Sequence, residues 1–257
     1  MPLVSVVMPV HNAAATLGPS VRSVLAQTHA DVELLITDDG STDGSADLLR
    51  EFARQDERVL AESAKEQGGA ARARNRAIAR ARGDYVAFLD SDDLWLPAKL
   101  EKQLAFAATA STPLTFTSYY KMDADHQGEA VDFVGGERVV WAPPRVDYRA
   151  MLVHDHIGAL TAMYDRTILG TRLMPDMPKR QDYALWLSIM RDGVDAAALR
   201  EPLAVYRAGR PGSLSSNKMA LIPHNWSLYR EHEHLSVPRS ARALAGAAWH
   251  SLRKSRI

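Results

Sequence analysis

The segment Tyr85-Val86-Ala87-Phe88-Leu89-Asp90-Ser91-Asp92-Asp93 joins an apolar run to three carboxylates. An apolar run of this length followed by acids is typical of a buried strand whose carboxyl end reaches the rim of a sheet. Open α/β sheets bind ligands at that rim. Carboxylates this close together repel one another, so a cation or basic side chains must neutralise them. The segment therefore predicts an α/β fold and a divalent metal that holds a diphosphate.

A second interpretation of the same acids is that they begin the next helix. Asp is favoured at an N-cap and in the first helical turn, and Pro97 suits a helix start. A cap needs one acid, whereas this turn offers three. The metal role is therefore favoured, with one acid free to act as a cap as well.

The composition fits one large α/β domain and excludes several other classes. The chain has 257 residues, 46% of them hydrophobic, which is enough for a substantial core. Lys plus Arg and Asp plus Glu number 31 each, so no nucleic-acid-binding surface is expected, and the lack of cysteine excludes disulfides and thiolate sites. No apolar run reaches the roughly twenty residues of a membrane-spanning helix and the chain does not begin as a signal sequence, so a cytoplasmic location is expected.

Strands and helices alternate in the first part of the chain, which predicts a parallel sheet with right-handed crossovers. The predicted strands are Leu3 to Met8, closed by Pro9, then Val32 to Ile36, Val59-Leu60 and the strand ending at Asp90. The predicted helices are Ala14 to Gln27, a helix through Leu48, Leu49 and Phe52, and Ala70 to Arg82. Residues 1–112 therefore form a nucleotide-binding half, Rossmann-like in architecture.

After Pro113 the pattern predicts a mixed half, residues 113–218, and then a helical tail, residues 219–257. The predicted elements are strands at Leu114 to Tyr119, Val139 to Trp141, Ala159 to Tyr164 and Ala204 to Tyr206, and a helix from Asp182 to Met190. The polar stretch from Lys121 to Arg138 predicts a hairpin or variable loop. No Pro/Gly/Ser-rich linker separates the halves, so the cleft between them is the expected active site.

Two more segments carry candidate ligand-binding residues. Asp38-Asp39-Gly40-Ser41 ends the second strand, so its acids face the same crevice as Asp90, and an Asp can accept the imide N–H of a nucleobase. The same residues are also ordinary turn and cap residues. Gly68 to Arg76 predicts a helix N-terminus that favours anions, with Arg74 able to bind a phosphate and most other arginines at the surface.

These segments, in this order, resemble the family-two glycosyltransferases. The residues that carry the resemblance are Val4-Ser5-Val6-Val7-Met8-Pro9-Val10-His11-Asn12, Ser23-Val24-Leu25-Ala26-Gln27-Thr28, Asp38-Asp39-Gly40-Ser41, Ala73-Arg74-Asn75-Arg76 and Phe88-Leu89-Asp90-Ser91-Asp92-Asp93. The resemblance implies the nucleotide-sugar-binding GT-A fold, an inverting sugar transfer, a UDP-sugar donor, and acceptors that are growing polysaccharides or lipid-linked oligosaccharides.

The resemblance also assigns roles by motif position. The implied donor-binding residues are Pro9, Val10, His11 and Asn12 along the nucleotide, Asp39 at the base with Asp38 in support, Arg74 and Asn75 near the donor, Asp90 and Ser91 of the acidic motif, and Asp92 near the ribose. Asp92 and Asp93 are the implied ligands of Mg²⁺ or Mn²⁺. His11 stands where the family often has tyrosine, so stacking at that position is left open.

A later segment, Lys179-Arg180-Gln181-Asp182-Tyr183-Ala184-Leu185-Trp186-Leu187, is similar to the family's acceptor-side motif, in which an Asp, often preceded by Glu, is the general base. Gln181 replaces that Glu, so Asp182 alone matches the base. An inverting transfer needs such a carboxylate across the sugar from the leaving diphosphate. Asp182 is also compatible with the N-cap of the following helix.

Tyr206 to Lys218 resembles the family's flexible segment that closes over the diphosphate. Arg207, Arg210 or Lys218 would neutralise the leaving group there. A loop that ends in a Ser215-Ser216-Asn217 helix cap explains the same residues.

His154 and His156 flank Asp155 and mimic a metal cluster. Their i,i+2 spacing matches no common helical ligand pair, so we expect them to line the acceptor pocket or the surface. His232 and His234, among Glu231 and Glu233, predict a solvated helix face.

The tail from Arg239 to Ile257 is basic, lacks acids, and contains Leu244, Trp249 and Leu252. Such a helix can lie on an anionic membrane surface, which would place the protein at the inner face of the membrane beside lipid-linked acceptors. A solvated or disordered tail is the alternative.

Two other functions fit parts of the pattern. A sugar nucleotidyltransferase also uses carboxylates and a metal on a parallel sheet, but it needs a glycine-rich basic loop after the first strand, where this chain has Pro9-Val10-His11-Asn12-Ala13. A nucleotide-sugar-binding protein without catalysis is the other alternative, and the Gln181 replacement favours it.

Overall fold

The described residues form a ten-stranded mixed sheet with helices on both faces. The structure is a computed structural model that describes residues 1–64, 66–123, 128–135, 138–209 and 221–254, with side chains of the last helix described through residue 249. The strands are β1 Val4–Val10, β2 Val32–Asp38, β3 Val59–Ser63, β4 Tyr85–Phe88, β5 Leu94–Trp95, β6 Leu114–Met122, β7 Val139–Val140, β8 Arg145–Val146, β9 Met163–Asp165 and β10 Ala196–Arg207. The helices are α1 Leu17–Leu25, α2 Ser45–Gln55, α3 Ala70–Arg80, α4 Lys99–Ala107, α5 Tyr148–Val153, α6 Arg166–Leu169, α7 Gln181–Arg191, α8 Ile222–Ser227 and α9 Val237–Lys254.

The strand order confirms the predicted fold class. It runs β3-β2-β1-β4-β9-β6-β10-β5, with β7 beside β6 and β8 beside β10. The first four strands in this order are parallel, as the alternation of strands and helices predicts. The antiparallel strand β9 joins them to β6, which is itself parallel to β10. The order reverses between β1 and β4, and such a reversal opens a crevice at the carboxyl edge of an α/β sheet.

Both faces of the sheet are covered by apolar side chains. Along β1, Val4, Val6 and Met8 point into one core with α1 and α4, whereas Val7 points into the other core with α3 and α7. This alternation follows from the period-two geometry of a strand. The two cores hold the sheet rigidly between its helices, so the loops at its carboxyl edge have fixed starting points.

The C-terminal helices pack against the second of these cores. Leu228 and Tyr229 belong to the same apolar cluster as α7, and the Tyr229 hydroxyl donates to the Leu152 carbonyl at 2.7 Å. Glu233 is 5% exposed and accepts a hydrogen bond from the Tyr148 hydroxyl at 2.7 Å, so the solvated face predicted around His232 and His234 is wrong at Glu233. None of the helices in the described ranges has the length and hydropathy needed to cross a membrane.

Several predicted elements differ from the structure. Strand β1 continues through Pro9 to Val10, because β1 pairs with β4 only as far as Val7 and the missing N–H of Pro9 costs no ladder bond there. Residues Ala159–Thr161 form a 3₁₀ turn, and the strand begins only at Met163. The predicted short strand at Ala204 is part of the long strand β10, whose register shifts around Pro202.

Candidate active site

The crevice between β1 and β4 collects the predicted donor motifs at one edge of the sheet. Leu89 donates its N–H to the Val7 carbonyl at 3.1 Å, and beyond this bond the two strands part. Pro9 to Asn12 leave on one side of the opening and Asp90 to Asp93 on the other. The carboxyl end of β10 reaches the same edge, because β10 is parallel to β6 and shares the direction of β4.

Asp39 joins the end of β2 to the start of α3. Its two carboxylate oxygens accept the N–H groups of Gly68 and Gly69, each at 2.7 Å. Gly69 has a φ of 86°, a conformation that glycine adopts without strain. Asp38 is 2% exposed and accepts the Ser41 N–H at 3.1 Å, which holds the turn. Each Asp39 oxygen has a second lone pair, so contact with a base remains open to it.

The loop after β1 is tied to the loop after β2. Asn12 has a φ of 49°, donates its N–H to the Ser41 hydroxyl at 2.9 Å and accepts the Thr42 N–H at 2.8 Å. His11 Nδ1 lies 3.0 Å from the Asp39 carbonyl oxygen. Pro9 is half-buried, and the Val10 side chain lies in the core, so Val10 can meet a ligand only through its backbone. His11 and Asn12 are exposed at the crevice.

The acidic turn does not begin a helix. Asp93 donates its N–H to the Asp90 carbonyl at 3.1 Å, β5 follows at once, and α4 starts only at Lys99. The helix-cap interpretation of these acids is therefore wrong. Ser91 is buried in the turn, and Asp92 is half-buried.

Arg74 is a buried cation of the crevice. Only 6% of it is exposed, and its guanidinium pairs with the carboxylate of Asp90. Burial lowers the pKa of Arg74, but the charges of Asp90, Asp182 and Asp92 outweigh burial and raise it. The Nε atom of Arg74 is buried without a hydrogen-bond partner among the described residues. One arginine thus lies within the field of acids from both the donor motif and the acceptor-side motif.

Asp93 and Arg207 connect this turn to β10. Asp93 is 2% exposed, and one of its oxygens accepts the Arg207 N–H at 2.9 Å. The Arg207 Nε donates to the Asp92 carbonyl at 2.9 Å, so Arg207 contacts the acidic turn twice. Burial, with repulsion from Asp92 and Asp90, raises the pKa of Asp93 well above its usual value. Arg210 and Lys218, the other cations predicted for this segment, lie outside the described residues, as does the Ser215-Ser216-Asn217 cap.

The side chain of Asn75 binds a backbone segment of the protein. Its amide donates to the Met174 carbonyl at 2.7 Å and accepts the Met174 N–H at 2.8 Å. The side chain therefore anchors the segment that leads into α7. Its predicted contact with the donor stays a prediction.

Asp182 lies in the first turn of α7, after Arg180 at the N-cap. The N-cap interpretation of Asp182 is therefore wrong. The helix buries Tyr183, Leu185 and Trp186 and leaves Asp182 half-buried, on the side that faces Arg74. The apolar spacing of α7 thus turns Asp182 toward the crevice.

On the acceptor side, the structure joins two residues that the sequence did not connect, Asp155 and Arg180. Asp155 accepts a hydrogen bond from Arg180 Nη1 at 3.1 Å, and burial together with the charge of Asp182 raises the pKa of Asp155. The rings of His154 and His156 pack edge to face, with centroids 4.7 Å apart. In the sequence, the position of Asp155 between two histidines was the available signal, but that spacing does not indicate Arg180 as its partner.

The carboxylates of the acidic turn are the possible ligands of a divalent cation. The described residues contain no group of three or more His, Asp or Glu side chains arranged to hold a metal. Mg²⁺ usually binds through one or two carboxylates together with substrate phosphates, so such a cage is not required. The charges of Asp92 and Asp90 help to raise the pKa of Asp93, and a bound cation would offset this crowded negative charge. The acidic turn therefore fits Mg²⁺ or Mn²⁺ bound together with a diphosphate.

Fold and crevice together define a GT-A glycosyltransferase, and the sequence comparison agrees. Residues 5–170 match the family described as Glycosyl transferase family 2. The chain belongs to this family and is a glycosyltransferase. Transfer is thereby favoured over the nucleotidyltransferase and over a binding protein without catalysis.

Several relatives match this chain over most of their length. TuaG of Bacillus subtilis (strain 168), which carries the name of a teichuronic acid biosynthesis glycosyltransferase, is 41% identical over 253 residues, 98% of this chain and 97% of the relative. WfaP of Escherichia coli, named as a UDP-Glc:alpha-D-GlcNAc-diphosphoundecaprenol beta-1,3-glucosyltransferase, is 36% identical over 218 residues, 85% of this chain and 82% of the relative.

Solved structures share the fold at low sequence identity. S. aureus TarS 1-349 in complex with UDP-GlcNAc has a TM-score of 0.68 at 17% identity, over 96% of this chain and 71% of that one. The mannosyltransferase PcManGT from Pyrobaculum calidifontis, in complex with GDP-Man and Mn2+, has a TM-score of 0.64 at 19% identity, over 96% of this chain and 75% of that one.

Proposed function

We propose that the protein moves a sugar from a UDP-sugar to a hydroxyl of a saccharide or lipid-linked acceptor, with inversion at the anomeric carbon, in polysaccharide biosynthesis. The observation that carries the proposal is the position of Arg74 among Asp90, Asp92 and Asp182. A displacement reaction needs a leaving-group site and a base on opposite sides of one sugar, and these acids come from the two sides of the crevice. The name of the relative WfaP includes a UDP-sugar and a diphosphoundecaprenol-linked acceptor.

The donor would lie along the edge of the first strands. Asp39 would accept the imide N–H of the base, Asn12 and His11 would line the nucleotide, and Arg74 would face the diphosphate. Because Asp39 already fixes the start of α3 through Gly68 and Gly69, base binding and the placement of Arg74 depend on one carboxylate.

A divalent ion, Mg²⁺ or Mn²⁺, would be held by Asp92 with help from Asp93. When bound, it would neutralise charge on the departing nucleoside diphosphate. Asp92 is the better ligand, because it is half-buried, whereas Asp93 is buried and already accepts the Arg207 N–H. Arg207 would hold the turn in place through its bond to the Asp92 carbonyl.

Asp182 would act as the general base. It would take the proton of the acceptor hydroxyl as that oxygen attacks the anomeric carbon and the bond to the diphosphate breaks. Arg74, with its unsatisfied buried Nε, would stabilise charge that grows on the leaving group.

Action at the membrane surface is part of the same proposal. The exposed residues of α9 include Ala241, Ala245 and Trp249 beside Arg239 and Arg242. An apolar face flanked by arginines suits an anionic lipid surface, where a lipid-linked acceptor would be found.

The test of the base is Asp182→Asn, measured as UDP release from a panel of UDP-sugars with lipid-linked and saccharide acceptors. Loss of a general base reduces turnover by about 10²–10⁴-fold, with donor affinity unchanged. Asp192→Asn is the matched control, because Asp192 ends the same helix in an exposed pair with Arg172 and should turn over normally. Equal turnover in Asp182→Asn and the wild type would reject the assignment.

The test of donor and metal is a thermal-shift panel of nucleoside diphosphates with and without Mn²⁺. A ligand at 100 times its Kd stabilises the native state by about 2.7 kcal/mol. We expect UDP to raise the Tm more with Mn²⁺ than without it, and Asp92→Asn to remove the Mn²⁺-dependent part. Asp47→Asn, in an exposed pair on α2, is the control. No gain with any nucleotide would contradict the proposal.

A further inference from the structure

A second carboxylate, Asp155, lies on the acceptor side of the crevice. It follows α5 in the chain, and its side chain is 19% exposed. Its Oδ2 accepts Arg180 Nη1 at 3.1 Å, whereas its Oδ1 is buried without a hydrogen-bond partner among the described residues. A carboxylate oxygen left without a partner in the interior is costly to keep, so Asp155 is not explained by stability alone.

Arg180 connects this carboxylate to the helix of the candidate base. It has a φ of 68°, in the left-handed region that non-glycine residues seldom occupy, and its carbonyl accepts the Ala184 N–H at 2.8 Å. Its Nε donates to Asn225 Oδ1 at 3.0 Å, and its guanidinium lies 5.3 Å from the centre of the Tyr183 ring. Backbone and head group of Arg180 are therefore both held, two residues before Asp182.

The charges of Asp155 and Asp182 act on each other. Burial raises the pKa of Asp155 to about 7, with a further rise from repulsion by Asp182, while Arg180 and the Ile157 N–H oppose it. The other ionisable groups around Asp155 are Tyr183 of α7, Tyr229 after α8, Tyr119 of β6, and the neighbours His154 and His156.

We propose that Asp155 is a positioning residue for the base. It holds the guanidinium of Arg180 on the side of Tyr183 and Asn225, so that Arg180 does not pair with Asp182 and the Asp182 carboxylate stays available to the acceptor hydroxyl. The inference rests on the proposed transfer reaction, in which the hydroxyl proton passes to Asp182 while the acceptor oxygen bonds to the anomeric carbon and the diphosphate leaves.

The first test compares Asp155→Asn with the wild type in a pH profile of kcat. We expect kcat to fall about tenfold or more with the donor KM within twofold, and the acid limb to move to lower pH by roughly 0.5–1 unit. Asp56→Asn is the matched control, because Asp56 and Arg58 form a pair at 2.7 Å with similar side-chain exposure, 24% and 30%, away from the crevice. The control should change neither kcat nor the acid limb.

A double variant tests whether the released Arg180 causes the loss of kcat. In Asp155→Asn the released Arg180 can pair with Asp182, so the added change Arg180→Gln should restore part of kcat. A Tm loss in Asp155→Asn with an unshifted acid limb would overturn the proposal, because a purely structural ion pair predicts that result.

Carboxyl ¹³C NMR of aspartate-labelled protein keeps this test independent of turnover. The Asp182 signal is assigned by its loss in Asp182→Asn and then titrated in the wild type and in Asp155→Asn. A lower titration midpoint in Asp155→Asn supports the proposal, and an unchanged midpoint rejects it. Absence of turnover in the wild type with every UDP-sugar would instead reject the proposed function.

Discussion

Two buried cations show how the neighbours of a charged residue decide its behaviour. Arg74 is surrounded by carboxylates, so its charge is stabilised in spite of burial. Lys99 is fully buried, donates to Gln103 Oε1 at 2.7 Å and lies 4.1 Å from the centre of the Trp95 ring. Burial lowers the pKa of Lys99 to about 7. Arg74 is thus a stabilised charge in the crevice, whereas the charge of Lys99 is costly to keep in the core.

Arg74→Met should destabilise the protein strongly, because it leaves Asp90 with a charge that Arg74 no longer offsets. The Asp90 side chain is 36% exposed, so water screens part of its charge and the expected loss is about 1–3 kcal/mol. Urea unfolding measures the loss. Arg72→Met is the matched control on the same helix, since Arg72 forms an exposed pair with Asp176 and should leave the unfolding midpoint nearly unchanged. Equal losses in both variants would show that Arg74 has no special role.

Lys99→Met should flatten the pH dependence of stability between about pH 7 and pH 10. The unfolded chain keeps the lysine protonated up to about 10.4, whereas the folded chain releases that proton near 7. The unfolded state therefore binds more protons in this window, and stability rises with pH by up to about 1.4 kcal/mol per unit. Tm measured across the window in both proteins gives the difference. A slope shared by both would contradict the buried-lysine origin.

At the level of elements, local pattern predicted most of the nucleotide-binding half. The apolar runs of β1, β2 and β4 and the spacing of α3 and α7 all correspond to elements, because each buries its side chains against neighbours close in the chain. The predicted helix from Ala14 to Gln27 is shorter, Leu17–Leu25, since helix ends depend on capping rather than on apolar spacing.

Elements that depend on distant contacts were not predicted. Strand β10 contains Arg200, Glu201 and Pro202, which read as a loop, yet it is long because β6 pairs along most of it. In α4, the polar residues Lys99 and Gln103 interrupt the apolar pattern of the sequence, although both are buried in the structure. Tertiary pairing overrides local propensity at these places.

Asn75→Ala should loosen the connection between α3 and α7. The change removes two hydrogen bonds to the Met174 backbone and should cost about 1–3 kcal/mol of stability. Amide exchange, followed by mass spectrometry, should become faster from Met174 to the first turn of α7 and stay unchanged in β1. Gln55→Ala, an exposed amide on α2, is the control. Unchanged exchange near Met174 would contradict the anchoring role.

At the level of the whole molecule, the site exists because the strand order reverses between β1 and β4. The motifs after β1, β2 and β4 were predictable as neighbours, since parallel strands deliver their carboxyl ends to one edge. The partners of Asp182 were not, because Asp155 and Arg180 meet through the packing of α5 and α7 and carry no common spacing. Motif position gave Asn75 a donor role, but only the folded chain reveals its bonds to Met174.

The proposed membrane contact would depend on the packing of the C-terminal helices, because α9 lies against α5 and exposes only part of its surface. Trp249→Ser and Arg242→Glu should each reduce co-sedimentation with vesicles that contain an anionic lipid, through lost apolar insertion and lost attraction respectively. Each basic side chain near such a surface contributes about 1 kcal/mol, so a charge reversal should weaken binding at least fivefold, and added salt should do the same.

Trp141→Ser is the control, since Trp141 is 58% exposed and Trp249 66%. Equal binding of wild type and Trp249→Ser, or equal binding to neutral vesicles, would reject membrane contact while leaving the catalytic proposal intact.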